Sequence, residues 1–98
     1  MSIAQIILDQ INALDPKAIF AWGTSKAISI EEVEDEHLGG LKLTIQNNPN
    51  IKEVATLEII LNGSDLYDIK IFSPLKEYYH DVDFYCGDLV DIIDQVVG

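Results

Sequence analysis

Few side chains in this sequence carry a reactive chemistry of their own: one cysteine, Cys86, two histidines, His37 and His80, and many carboxylates. Cys86 stands where a helix would start, a location that lowers a thiol's pKa and favours the thiolate nucleophile. Such a nucleophile also needs a base in reach, and no spacing brings His37 or His80 to it. A small, half-buried cysteine at a helix start is the expected reading. Structural zinc needs closely spaced Cys and His ligands, and one cysteine with two distant histidines supplies no such set.

Oxygen ligands suited to calcium crowd two stretches: Asn62, Ser64, Asp65 and Asp68, then Asp81, Asp83 and Asp88. Neither follows the spacing or ends on the glutamate of an EF-hand loop. They read as turn chemistry in the first case and as strand-end and helix-start acids in the second. Paired carboxylates do acid–base work only in a cleft that gives the two acids unlike surroundings. Acid pairs are too numerous here to single one out. Gly39-Gly40 and Gly63 belong to turns rather than to a phosphate-binding fingerprint. The chain is therefore expected to be no enzyme, with no catalytic residue, no cofactor and no metal.

What remains is the charge. Seventeen acids face six lysines without a single arginine, and the formal net charge is −11. Phosphate backbones and anionic membrane surfaces are bound by clustered Lys and Arg, so neither direct nucleic-acid binding nor membrane binding is expected. Glu31, Glu32, Glu34, Asp35 and Glu36 form a dense run, and Asp81 with Asp83 forms a second cluster. The plain reading is a solvated surface that keeps a small protein soluble. The sharper one is a nucleic-acid mimic, whose carboxylates imitate phosphates and occupy the basic groove of a host nucleic-acid-handling or defence protein. Tyr78 and Tyr79, expected to be exposed in a polar connector, suit the anchoring of such a partner. The alternative is a homo-oligomeric accessory or structural module, for example a homodimer, that uses an open sheet face around Ile60 and Phe72.

The elements that must position these groups can be read from periodicity. Ninety-eight residues, 48% of them hydrophobic, make one α+β domain spanning 1–98. Apolar runs are too short for a transmembrane helix, MSIAQIILDQ lacks the basic start of a signal peptide, and a lone cysteine fits a reducing compartment. A cytoplasmic location is expected. Ser2 caps a helix with Ile3, Ile6, Ile7, Ile11 and Leu14 on one side. Asp15-Pro16 opens a short second helix through Lys17–Trp22 that stops at Gly23, with an extended Ile19–Trp22 as the alternative.

A first strand is expected over Lys26–Val33, and His37–Gly40 as a loop. Leu41, Leu43 and Ile45 mark a second strand, and Asn47-Asn48-Pro49-Asn50 a turn. The third strand, starting near Lys52, and the fourth form a hairpin over Thr56–Phe72. A two-residue loop would throw the two apolar sets onto opposite faces. A three-residue loop at Gly63, Ser64 and Asp65 sets Leu61 against Tyr67, Ile59 against Ile69, Leu57 against Ile71 and Glu58 against Lys70. Residues 75–85 are a connector, with Val82–Tyr85 pairing briefly at an edge. The last helix, from about Gly87, buries Leu89, Ile92, Ile93 and Val96, with Val90 and Val97 at its margins, and Trp22 buries its ring against the sheet. The expected architecture is a two-layer α+β fold: an N-terminal helix, a short helix, a four-stranded antiparallel meander and a C-terminal helix.

Ala21-Trp22-Gly23-Thr24, the hairpin Leu57–Ile69 and the closing Tyr85-Cys86-Gly87-Asp88-Leu89-Val90-Asp91-Ile92-Ile93 resemble a group of small proteins encoded by bacteriophages and other mobile elements. The group shares an "ITLN..D.YD" hairpin and a C-terminal "Y.DQL...I" helix. The acidity and the Glu31–Glu36 run depart from that pattern. The resemblance implies a small protein acting inside a bacterial cell for a mobile element, and it transfers no catalytic residue.

Overall fold

A computed structural model describes residues 3–30, 37–46, 48, 51, 53–64 and 66–97. Helix α1 (Ile3–Leu14) and the short α2 (Ala18–Ala21) precede strands β1 (Thr24–Ile30), β2 (His37–Ile45), β3 (Ala55–Asn62), β4 (Tyr67–Phe72) and β5 (Glu77–Phe84). A 3-10 turn (Cys86–Asp88) then leads into α3 (Leu89–Val97). The strands pair antiparallel in chain order as an open meander. The α+β architecture matches the periodicity, with one strand more than the sequence announces.

α1 forms because Ala4, Ile7 and Ile11 recur at helical spacing and are buried, while Gln5 donates to Asp9 across one outer turn at 2.9 Å. Leu14, expected on the buried stripe, is 45% exposed. Asp15 Oδ1 accepts from the Lys17 amide at 3.0 Å, a local turn that starts α2. Gly23 follows its last turn at φ 73°, the left-handed position that glycine adopts without strain. The Ser2 cap lies outside the described residues.

The hairpin register is the one that the apolar alternation requires. Leu61 pairs with Tyr67, Ile59 with Ile69, Leu57 with Ile71 and Glu58 with Lys70. Leu57, Ile59, Ile69 and Ile71 are fully buried, and their faces join Leu41, Leu43 and Ile45 of β2 under α1. All the buried apolar side chains described belong to one core cluster. Trp22 lies at its end, fully buried, and donates its indole N–H to Asp94 Oδ1 at 2.5 Å. Asn48 Nδ2, also buried, donates to the carbonyls of Trp22 (3.1 Å) and Val97 (2.7 Å), which fastens α3 to the segment after α2.

Four expectations change. His37–Gly40 is strand rather than loop: Gly40 lies so close to β3 that a Cβ would overlap the Ile59 carbonyl oxygen. Glycine here permits a close approach of backbones, not a turn. β1 starts at Thr24, two residues earlier than expected, while the expected 31–33 end lies outside the described residues, and its Ile28 faces the uncovered side opposite Lys42 at 51% exposure. The third strand starts at Ala55, after an isolated bridge between Asn48 and Ile51. The buried stripe of α3 is Leu89, Val90, Ile93 and Val97, with Ile92 and Val96 only partly buried, so the helix is rotated toward its expected margin.

The largest change is β5. Residues 77–84 pair with β4 along their length, with Ile71 opposite Tyr79, Lys70 opposite His80 and Ile69 opposite Asp81. The sequence EYYHDVDF shows no hydrophobic alternation because this outermost strand buries little. Its backbone hydrogen bonds, rather than an apolar face, hold it in the sheet.

Candidate functional site

Asp81 and Asp83, the described members of the expected acidic sites, are both exposed on β5. Glu31, Glu32, Glu34, Asp35 and Glu36 lie outside the described residues. A register break between the Ile69–Asp81 and Tyr67–Phe84 pairs and a left-handed backbone at Asp83 (φ 65°) twist the strand near its end, and a second break lies near its start, between Glu77 and Tyr79. There Asn62 ties the acids down: its Nδ2 donates to Asp68 Oδ1 at 2.8 Å and to Asp83 Oδ1 at 3.0 Å. Its Oδ1 accepts from the amides of Ser64 (2.9 Å) and Leu66 (3.3 Å), so one side chain closes the hairpin loop and holds two carboxylates together. The Asp83 amide also donates to Asp68 Oδ1 at 3.2 Å.

Tyr78 and Tyr79 are not in an exposed connector. Both are half-buried on β5. The Tyr78 hydroxyl donates to Glu53 Oε1 at 2.7 Å, and Ser73 Oγ donates to the same oxygen at 2.5 Å. Accepting from Ser73 and then Tyr78 holds the Glu53 carboxyl below its ordinary range, while bonding to Glu53 raises the Tyr78 phenol. Burial raises Tyr79, whose ring also tilts against Phe84 at 6.4 Å. The Lys76 ammonium lies 4.5 Å over the Tyr78 ring. This cluster ties Glu53 to Ser73 and to β5, a structural task for Tyr78 before any recognition.

The acidic surface continues beyond the expected residues. Glu77, Asp81, Asp83, Asp88, Asp91 and Asp94 are all exposed along β5, the 3-10 turn and α3, and no lysine or arginine follows Lys76 in the chain. The His80 imidazole sits 3.8 Å from the Glu77 carboxylate, both half-exposed. Asp88 alone of the three acids after β5 is singled out by the sequence, as a helix-start acid. The signal that unites them, a lysine-free stretch from residue 77 onward, was present in the sequence. α3 lies against the end of β5, which makes this stretch continuous in space as well as in the chain.

Reactive groups are placed apart. Cys86 is exposed, not half-buried as expected, because the 3-10 turn carries it away from the core. It borders an apolar cavity of about 210 Å³ with Gln10, Ala13, Leu14 and Gly87, a lining without an acid or base. His80 lies in mid-strand opposite Lys70. Among the described residues no group of three His, Cys, Asp or Glu is arranged to hold a metal, and every buried side-chain nitrogen and oxygen has a partner. No described helix is long and apolar enough to cross a membrane.

On the sheet side away from the helices, Ile60 and Phe72 are half-buried rather than bare, and the Lys70 ammonium lies 4.9 Å over the Phe72 ring. Fold and surface of the described residues define a small α+β domain with a strongly acidic flank. No family model matches the chain, and neither a curated protein nor a solved structure does.

Proposed function

We propose that this chain is a non-enzymatic binding protein whose acidic flank engages a basic protein, standing in for the phosphates of a nucleic acid on a host nucleic-acid-handling or defence protein. The observation that carries the reading is the lysine-free surface of β5, the 3-10 turn and α3, where six exposed carboxylates are mounted on regular elements. Carboxylates on strand and helix keep their backbone spacing without a further cost of ordering the main chain on binding, which is what distinguishes a phosphate mimic from an acidic tail. The target supplies the guanidinium and ammonium groups, and its counterions are released on association. The resemblance of the hairpin and the closing helix to small mobile-element proteins is what supports a bacterial setting for this encounter.

The test is capture from bacterial lysate on the immobilised chain at low salt, followed by a salt gradient. The expected result is retention of a basic nucleic-acid-binding protein that elutes as salt rises and that nucleic acid displaces. Neutralising Asp81, Asp88 and Asp91 together to asparagine weakens that binding by about tenfold or more, while the fold persists. Salt-insensitive capture, or no capture, sinks the proposal.

A further inference from the structure

The apolar hollow beside Cys86 lies where the C-terminal end of α1 meets the 3-10 turn, between Gln10, Ala13 and Leu14 on one side and Cys86 and Gly87 on the other. At about 210 Å³ it exceeds the roughly 150 Å³ in which a protein cavity holds a benzene ring. Leu14 is half exposed at its lining, and Tyr85, next to Cys86 in the chain, is largely exposed. Gly87 has neither a left-handed backbone nor a close neighbour: a Cβ there would meet no heavy atom within 4 Å. Neither the turn nor the packing requires glycine here, and the space a side chain would occupy is open. Gln10 Oε1 accepts from the hydroxyl of the buried Tyr67 at 2.7 Å, which fixes the amide, and its Nε2 meets no acceptor among the described residues. The charge around the hollow is predominantly negative. Asp9, Asp15, Asp83 and Asp88 lie within three residues of its lining in the chain, against Lys17 alone. α1 also ends here, with the negative end of its dipole and without a basic residue in its last turn.

We propose that this hollow is the anchor pocket of the acidic flank, taking one ring-sized apolar side chain that a basic partner carries between lysines or arginines. The inference rests on the reading of the flank as a surface for a basic protein, and it adds what that surface selects. Apolar contact alone would equally admit a fatty or aromatic acid, an anionic membrane or a second copy of this chain. The first two bring negative charge to a negative rim, and a second copy brings a net charge of −11. A side chain flanked by cations gains on both counts: its ring leaves water in the hollow while its neighbours meet the carboxylates. Binding energy in an interface concentrates in such a buried anchor inside a polar rim. The Gln10 amide supplies a donor for a main-chain carbonyl of the same segment.

The test is titration of the full chain at low salt with two lysine-rich peptides of equal length and charge, one with a central phenylalanine and the other with alanine in its place. The expected result is about tenfold tighter binding of the phenylalanine peptide, with salt weakening both alike. Gly87→Leu, which narrows the hollow, lowers the phenylalanine peptide to the level of the alanine peptide. In the unaltered chain, alkylation of the exposed Cys86 by iodoacetamide slows severalfold under the phenylalanine peptide, compared with the alanine peptide at equal occupancy. Equal affinities with intact salt dependence overturn the anchor pocket and leave the acidic flank standing. A preference that survives Gly87→Leu, or that leaves Cys86 fully reactive, places the ring elsewhere and overturns it too. Binding of neither peptide sinks the reading of the flank and this inference with it. The alkylation uses the unaltered chain and decides the matter even where the leucine variant fails to fold.

Discussion

Ile59 and Ile60 are neighbours of identical chemistry on opposite faces of β3, and truncating each to alanine tests the register that organises the sheet. Ile59 is fully buried between Leu41 and Ile69, whereas Ile60 is half-buried on the uncovered side between Gly40 and Asp68. Ile59→Ala removes three buried carbons at about 0.8 kcal/mol each, about 2.4 kcal/mol in all. A residual void of roughly 60 Å³ adds about 1.4 kcal/mol at about 24 cal/mol per Å³. The sum, near 4 kcal/mol, is a large share of the roughly 5–15 kcal/mol that holds a domain of this size together. Ile60→Ala leaves no enclosed void and removes carbons already partly wet, so it costs about 1 kcal/mol. With a urea slope of about 2 kcal/mol per molar, the midpoint falls by about 2 M for Ile59→Ala and about 0.5 M for Ile60→Ala. Equal shifts, or a larger one for Ile60→Ala, refute the register and with it the assignment of the buried face.

Gly40→Ala forces a methyl group into the Ile59 carbonyl, and since the obstacle is backbone it destabilises by about 1–3 kcal/mol in the same assay; an unchanged midpoint removes the close-approach argument. The Glu53 clasp gives two pH limbs of known sign. A carboxyl held below its ordinary value stabilises the fold above the unfolded pKa of about 4.3, and this is lost as pH falls through the folded value. A raised Tyr78 phenol stabilises fully below its unfolded pKa of about 10, and the contribution is lost as pH rises through the folded value. Chemical denaturation across pH shows Glu53→Gln flattening the acid limb and Tyr78→Phe flattening the alkaline one; variants parallel to the parent at both ends contradict the assignment.

Elements that bury an apolar face were legible in the sequence. The hairpin register followed from parity alone, since only a three-residue loop puts Leu57, Ile59, Ile69 and Ile71 on one side. Gly23 announced the end of α2 for the same kind of local reason. β5 was legible only at its end, where Val82–Tyr85 was expected to pair at an edge and Phe84 lies opposite Tyr67, because an edge strand stabilised by its backbone leaves little trace in EYYHDVDF. Gly39-Gly40 carried the same letters as a turn, and only the partner strand reveals that Gly40 serves a close contact. Tyr78 belonged to the same blind spot: its partner Glu53 is remote in sequence, and no spacing rule links them. The acidic flank was half read, through Asp81 and Asp83, because local clusters draw the eye more than a long absence of lysine.

The bond from Trp22 to Asp94 joins residues separated by 72 positions, and Asn48 reaches Val97 across 49. During synthesis, therefore, the strands of the meander can zip together one after another as they emerge, but the indole near the start of the chain has no acceptor until the final helix is made. Contacts of such long range close late. A nascent chain halted anywhere before residue 94 leaves the Trp22 indole without this acceptor, so this corner closes only once α3 has been made.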